Sequence, residues 1–208
     1  MGYFPFFVDI SKKRGLIVGG GAVALRKVRK LLPYGPCLTV VAPQILPAIR
    51  AIGGLTLLER AFEPNDLKDC DFAIAATDSR TVNQTVAALC TSQKILVNTA
   101  DHGEDGSFVF PALVKRGELS VGISTGGGFP MAGVYIKEKL AELLPAQTDE
   151  ILEWLCVRRG EFKTSLPEKQ KRNLVLSALC RAAMEQGRPL NDSETAAIVT
   201  AVRMKNGG

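Results

Sequence analysis

The sequence predicts an α/β protein that starts with a doubly wound parallel sheet, continues through a small α+β region and ends in an all-helical domain. Three observations lead to this prediction. Short apolar segments alternate with helical patterns in the first half of the chain, which is typical of a parallel sheet. Three short strand patterns then follow one another without helices between them, and beyond them the chain shows only helical periodicity. The predicted domain boundaries are 1–111, 112–146 and 147–208.

Composition excludes several classes of protein. Hydrophobic residues at 46% and charged residues at 23% are typical of a globular domain. The longest apolar runs are too short to cross a bilayer and the N-terminus lacks the basic region of a signal peptide, so we expect a cytoplasmic protein without membrane association. A single histidine and no paired cysteines exclude an ordinary zinc site. The five scattered cysteines are expected to be reduced thiols: Cys37, Cys70, Cys90, Cys156 and Cys180.

The net charge of +5 is modest, but basic residues crowd the C-terminal third of the chain. Solvated helix faces would explain them, and so would an anionic partner, either a nucleic acid or a polycarboxylate. Nucleic acid is disfavoured because aromatic residues do not alternate with these charges. The basic residues are Arg158, Arg159, Lys163, Lys169, Lys171, Arg172 and Arg181.

The first predicted strand, 15–18, leads directly into a glycine-rich turn and a helix. Gly19, Gly21 and Ala24 have the spacing G-x-G-x-x-A, with Gly20 between the first two. In the dinucleotide-binding fingerprint the first glycine permits the tight turn, the second lets the backbone approach a pyrophosphate, and the small third residue packs helix on strand. The free N–H groups of the new helix would then face the phosphates. We therefore predict a Rossmann-like first domain.

The second predicted strand, 38–42, departs from the usual pattern of this fold. Dehydrogenases that recognise the ribose diol normally carry Asp or Glu at the end of this strand. Here Ala42, Pro43 and Gln44 occupy the end of the strand and the loop after it. Gln44 has an amide that can hydrogen-bond a ribose hydroxyl, but neutral residues neither attract nor repel a 2′-phosphate strongly. Charge therefore does not decide between NAD and NADP.

Further strands are predicted at 55–59, 72–76 and 95–98. Polar residues follow the last two of them. In open α/β sheets the ligand lies beyond the carboxyl ends of the strands. The residues predicted at this edge are Thr77, Asp78, Asn98 and Asp101.

Asp101 and His102 begin the loop that follows the fifth strand. A carboxylate at the opening of a dinucleotide crevice could accept a proton as a hydride leaves a substrate. The alternative is a solvated turn residue, because Asp is favoured in turns. His102 is the more usual acid or base, and position in the sequence does not separate the two residues.

The second half begins with short strands at 107–111, 112–115 and 119–124, the last two forming a hairpin. A second glycine-rich segment follows and opens a helix. Such a segment is either an anion cradle or a structural hinge, and composition does not choose between them. A capping-box pattern at 165–168 and a second N-terminal pattern at 191–194 predict two further helix starts. The cradle residues are Ser124, Thr125, Gly126 and Gly127.

Several motifs, in the same order along the chain, resemble the precorrin-2 dehydrogenase family, which includes the N-terminal part of siroheme synthases. They cover the whole chain, and its length suits members of the family that lack a methyltransferase domain. The matching segments are Tyr3-Phe-Pro-Phe-Phe-Val, residues 15–27, Phe72-Ala-Ile-Ala-Ala-Thr-Asp78, Val82-Asn83, Val97-Asn98-x-x-Asp101, Ser107-Phe108 with Pro111, and Ser124-Thr-Gly-Gly127 with Pro130.

The resemblance implies NAD-dependent oxidation of precorrin-2 to sirohydrochlorin, in siroheme and in some organisms cobalamin synthesis. It implies a homodimer formed through residues 112–146 and a C-terminal domain that helps to bind the substrate. The catalytic aspartate of the family matches Asp101. The cofactor segments of the family match Ala22 with Val23 and Pro43 with Gln44. A regulatory serine of some members corresponds to Thr125 here, so the resemblance does not decide whether that regulation applies to this chain.

Some members of the family also insert Fe²⁺ into sirohydrochlorin, and others only dehydrogenate. The sequence does not decide between them, nor whether Co²⁺ would be the metal substrate; Asp101 is the expected participant in either case. A function from another class is a nucleotide-sensing regulatory module without turnover, because such modules share the glycine fingerprint.

Overall fold

The computed structural model describes residues 4–100 and 105–205 and divides into two compact units. The first unit ends at Phe110 and the second begins at Pro111. Among the described residues, no helix is both long enough and apolar enough to cross a membrane.

The first unit contains a five-stranded parallel sheet with β1 (Arg14–Val18) at its centre. The strands are spatially ordered β3-β2-β1-β4-β5, so the chain reverses direction across the sheet between β1 and β4. This reversal creates the crevice in which doubly wound proteins bind ligands. The remaining strands are β2 (Cys37–Val41), β3 (Thr56–Leu58), β4 (Phe72–Ala75) and β5 (Leu96–Thr99).

Helices cover both faces of this sheet because successive side chains of a strand point to opposite faces. Ile17 packs into a core that includes residues of α1 and α2, whereas Leu16 and Val18 pack into a second core against α3. The prediction of a doubly wound α/β fold is confirmed. The helices are α1 (Ala22–Leu31), α2 (Pro47–Arg50) and α3 (Arg80–Gln93), with 3-10 turns at Leu32–Tyr34 and Pro64–Leu67.

The second unit begins with an antiparallel hairpin of β6 (Ala112–Arg116) and β7 (Leu119–Ile123). The long helix α4 (Pro130–Leu143) follows the glycine-rich segment. The strand predicted at 107–111 does not form. Ser107 and Phe108 instead donate their N–H groups to the single carbonyl of Val97, so this segment has no ladder of its own.

Three helices complete the chain and share one core around Ile151, Val175 and Leu179. They are α5 (Thr148–Ser165), α6 (Lys169–Gln186) and α7 (Asp192–Lys205). The predicted start of α7 is confirmed by reciprocal bonds between Asn191 and Glu194.

The helix start predicted at Ser165 is wrong. Ser165 is the last residue of α5, and its hydroxyl donates to the carbonyl of Glu161 at 3.1 Å. A serine hydroxyl satisfies a carbonyl of the preceding turn as readily as it caps the N–H groups of a new helix. Pro167 therefore lies between α5 and α6, and α6 begins with Lys169 after Glu168.

Candidate functional site

The glycine-rich turn after β1 lies at the carboxyl edge of the parallel sheet. Gly19 has φ +128, a conformation that side chains rarely adopt, and a Cβ there would lie 2.2 Å from the carbonyl oxygen of Ala76. Its N–H donates to the carbonyl of Val41 at 2.9 Å. Ala24 is fully buried, as expected for the small third residue of the fingerprint. The turn therefore depends on glycine for its fit between neighbouring strands.

Gly20 and Gly21 have different surroundings. A Cβ on Gly20 would lie 2.1 Å from the carbonyl oxygen of Gln44, so Gly20 allows two segments of this unit to pack together. A Cβ on Gly21 would meet no atom within 4 Å. Gly21 is the N-cap of α1, without a side-chain capping bond and with no acidic residue in the first turn. This open, uncapped helix start fits the pyrophosphate of a dinucleotide.

The loop after β2 packs against the glycine turn. The N–H of Leu46 donates to the carbonyl of Gly20 at 3.0 Å. Pro43 and Gln44 are exposed, whereas Ile45 is buried in the core beneath them. Exposed Ala22 and half-buried Val23 begin α1 beside this turn. The structure thus places two of the predicted cofactor segments next to each other.

The turn after β4 is held by a buried asparagine. Asn83 on α3 accepts hydrogen bonds at its Oδ1 from the N–H and the hydroxyl of Thr77, at 3.1 and 2.7 Å. Its Nδ2 donates to the carbonyl of Thr77 at 3.0 Å. The Thr77 hydroxyl is therefore engaged within its own turn, while Asp78 beside it is exposed. Of Thr77 and Asp78, the two residues predicted to follow β4, Asp78 has the more exposed side chain.

A half-buried lysine lies near the end of β5. Lys27 on α1 donates through Nζ to Oδ1 of Asn98 at 3.0 Å, and its ammonium lies 3.8 Å from the centroid of the Phe110 ring. Burial, together with the smaller effect of the positive charges of Lys30 and Arg26, lowers the pKa of Lys27 to about 8.

Asn98 is buried and joins β5 to the segment after it. Its Nδ2 donates to the carbonyl of Phe108 at 3.0 Å, so both ends of its amide have partners. The Ser107 hydroxyl accepts from the N–H of Val97 at 2.8 Å, which holds the same segment against β5. Asp101 and His102, the candidate bases, lie outside the described residues.

The second glycine-rich segment belongs to the second unit. The Ser124 hydroxyl accepts from the N–H of Gly126 at 3.3 Å, and Gly126 and Gly127 have φ of 66 and 84. A Cβ on either of these glycines would meet no atom within 4 Å. Half-buried Thr125 approaches Gly133 of α4 through its methyl group. The four residues predicted as an anion cradle, 124–127, therefore form one turn whose two glycines have no atoms packed against them.

Sequence reasoning assigned no role to three residues that organise this edge: Lys27, Asn83 and Ser107. Asn83 lies four residues after Ser79, the N-cap of α3, and it belongs to the matching segment Val82-Asn83, which carried no assigned role. Lys27 and Ser107 also lie in matching segments, but their partners Asn98 and Val97 are 71 and 10 residues away in the sequence, so local patterns did not indicate these contacts.

Three comparisons relate this geometry to known proteins. A family model described as putative NAD(P)-binding matches residues 6–112, which include the glycine turn and every strand of the parallel sheet. The chain belongs to this family. The chain is also 37% identical over 177 residues to the siroheme synthase of Shigella boydii serotype 18, an alignment covering 82% of this chain and 39% of that protein. It is 36% identical over 175 residues to the siroheme synthase of Chromobacterium violaceum, covering 83% and 37%.

Among solved structures, the chain is similar to one titled "SirC, precorrin-2 dehydrogenase", with 26% identity and a TM-score of 0.74. That similarity covers 97% of this chain and all of the other. The resemblance inferred from the motifs is therefore confirmed at the level of the family. The chain spans about two fifths of the length of the siroheme synthases that it matches. The NAD(P)-binding family accounts for the first unit, while the similarity to the dehydrogenase structure extends through both units.

Proposed function

We propose that this protein oxidises precorrin-2 to sirohydrochlorin in the cytoplasm, with NAD⁺ as the hydride acceptor, as a step toward siroheme or cobalamin. The similarity to a precorrin-2 dehydrogenase structure across 97% of this chain carries the proposal, because it includes the second unit as well as the nucleotide-binding unit. The glycine turn, which has the geometry of a dinucleotide site, supports it.

The first unit would bind the dinucleotide. The uncapped start of α1, at Gly21, Ala22 and Val23, would hold the pyrophosphate through backbone N–H groups. Pro43 and Gln44 would lie along the adenosine half. The exposed Asp78 and the residues around Thr77 and Asn98 would border the remaining crevice, because they lie at or directly after the carboxyl ends of β4 and β5. When bound, the nicotinamide ring supplies the hydride acceptor.

Asp101 is the proposed base. The oxidation transfers a hydride from precorrin-2 to the nicotinamide and releases one proton from the macrocycle, so one acceptor of a proton suffices. Before the segment that carries Asp101, the N–H of Ala100 donates to the carbonyl of Ala75. After that segment, Ser107 is bound to Val97 of β5 through its N–H and its hydroxyl. These anchors near the sheet would restrict where the carboxylate can lie.

The second unit would hold the substrate and form a homodimer. Precorrin-2 carries several carboxylates, and the turn at Ser124, Thr125, Gly126 and Gly127 offers open backbone to such an anion. The basic helices of this unit would add charge-assisted hydrogen bonds. The proposed dimer would bury the exposed apolar residues of α4, which include Met131, Tyr135 and Leu143 at 67%, 61% and 79% exposure.

A turnover assay tests the proposal. Purified protein mixed with NAD⁺ and precorrin-2 should produce NADH and sirohydrochlorin, followed by their absorbance, above a control without enzyme. Asp101→Ala should bind NAD⁺ normally and lose most turnover, whereas Asp105→Ala should retain it. Equal activity of both variants would contradict the role of Asp101. NAD⁺ binding without turnover in the parent protein would instead favour the nucleotide-sensing module.

The second reaction of the family, metal insertion, needs its own experiment. Sirohydrochlorin is mixed with Fe²⁺ or Co²⁺, with and without enzyme, and metal incorporation is followed by absorbance. Faster incorporation with enzyme, abolished in Asp101→Ala, would add chelatase activity to the proposal. An unchanged rate would restrict the protein to dehydrogenation.

A further inference from the structure

The acidic residue missing after β2 has a counterpart directly after the neighbouring strand, β3. Residues 42–49 contain no charged side chain. Val41 at the end of β2 pairs with Leu58 at the end of β3, and the N–H of Ala42 donates to the carbonyl of Leu58 at 3.1 Å. Glu59 therefore follows β3 directly beside Ala42. Its carboxylate is the negative charge that the fold brings to this position.

Glu59 is paired with Arg50, the last residue of α2. The two side chains form a bidentate ion pair, in which Nη2 of Arg50 lies 2.7 Å from Oε2 of Glu59 and Nη1 contacts Oε1. Nε of Arg50 donates to the carbonyl of Ile45 at 3.1 Å. Because Ile45 directly follows Gln44, the guanidinium is attached to the loop that is proposed to border the adenosine half of the cofactor.

The pair is accessible and the next arginine along the chain is engaged elsewhere. The side chains of Arg50 and Glu59 are 43% and 45% exposed. Arg60, the residue after Glu59, binds the carboxylate of Asp66, with Nη1 2.9 Å from Oδ2. Arg50 is therefore the cation whose release would add positive charge to the loop after β2.

We propose that the Arg50–Glu59 pair determines the choice between NAD and NADP, resting on the proposed function of the first unit as a dinucleotide site. Glu59 occupies the guanidinium fork of Arg50, and a guanidinium held in this way is not available to a 2′-phosphate. The carboxylate also repels that phosphate. Arg50 could bind a 2′-phosphate, and its ion pair with Glu59 prevents it from doing so.

Two single substitutions and their combination separate the two roles. Glu59→Gln leaves Arg50 anchored to Ile45 without its neutralising partner, so the affinity for NADP⁺ should rise about tenfold through the attraction between guanidinium and phosphate. The affinity for NAD⁺ should change less than about twofold, because NAD⁺ carries no charge at the 2′ position. Arg50→Gln should weaken NADP⁺ binding, because it leaves the Glu59 carboxylate without a counter-charge to repel the 2′-phosphate. The double variant should lose the gain of Glu59→Gln, because it lacks the guanidinium.

Direct titration of each protein with NAD⁺ and NADP⁺ by calorimetry gives these affinities without any turnover. Exposed ion pairs contribute little to stability, so all variants are expected to fold, which circular dichroism checks. A ratio of affinities that is the same in the parent and Glu59→Gln would overturn the inference, as would a gain that persists in the double variant. If neither dinucleotide binds the parent protein, the proposed function itself fails, and the inference fails with it.

Discussion

Replacing Lys27 with Met tests whether the half-buried ammonium near β5 lowers the stability of the folded protein below about pH 8. The ordinary pKa is 10.5 and the folded pKa is about 8. Between these values the unfolded chain binds the proton and the folded protein does not, so stability rises with pH across this window. Below about pH 8 both states are protonated, and the folded protein bears the whole cost of burying the charge.

The size of the effect follows from the shift. A decrease of the pKa from 10.5 to about 8 corresponds to about 3 kcal/mol in the free energy of unfolding for a fully desolvated group. Lys27 is only half-buried, and water screens part of that cost, so we expect about 1 kcal/mol. The stability of the parent protein relative to Lys27→Met should therefore increase by about 1 kcal/mol between about pH 7.5 and about pH 10. Lys27→Met also loses the hydrogen bond to Asn98, which changes its free energy of unfolding but does not produce this increase with pH.

Urea denaturation followed by circular dichroism measures both stabilities. Fluorescence is less suitable, because the single tryptophan, Trp154, lies on α5 in the other unit. Lys68→Met, at an exposed lysine of the first unit, is the matched control and should show no such increase. A difference between parent and Lys27→Met that is flat or falls with rising pH would refute the reasoning.

Three further predictions concern packing, hydrogen bonding and charge. Gly20→Ala should lower the free energy of unfolding in urea by about 2 kcal/mol, because the new methyl group would lie 2.1 Å from a backbone carbonyl oxygen. Gly21→Ala should keep its stability, because its methyl group would meet no atom within 4 Å, yet it should bind NAD⁺ more weakly in calorimetry. Asn83→Ala should cost about 2 kcal/mol by removing the buried amide that holds the turn after β4, and an unchanged urea midpoint would contradict this. The guanidinium of Arg188, aided by a backbone N–H, lowers the pKa of Glu194 from 4.5 to about 2, so the second unit should lose stability as pH falls between these values. Glu194→Gln should lack that part of the acid dependence when both proteins are followed by circular dichroism.

Local patterns predicted most of the first unit. The strands lie within one or two residues of their predicted positions because buried parallel strands appear as short apolar runs. The glycine turn was predictable for a steric reason, since Gly19 adopts φ +128. The predictions of secondary structure were wrong where the same local sequence is compatible with two structures. Ser165 could cap a new helix or donate to a carbonyl of the preceding helix, and it does the latter. Residues 107–111 carry β-forming side chains but do not form a strand.

The sequence by itself determined that this chain forms a parallel sheet with a dinucleotide-type turn at its carboxyl edge, because periodicity and glycine sterics act over a few residues. It also showed that no acid follows β2. Only the tertiary structure decided which polar groups at that edge are engaged internally, such as Thr77 and Asn98, and which are exposed, such as Asp78. It also brought Glu59 beside Ala42 and buried Lys27 against Phe110. Such pairings depend on residues far apart in the chain, and burial and hydrogen bonding exist only once the strands and helices have packed.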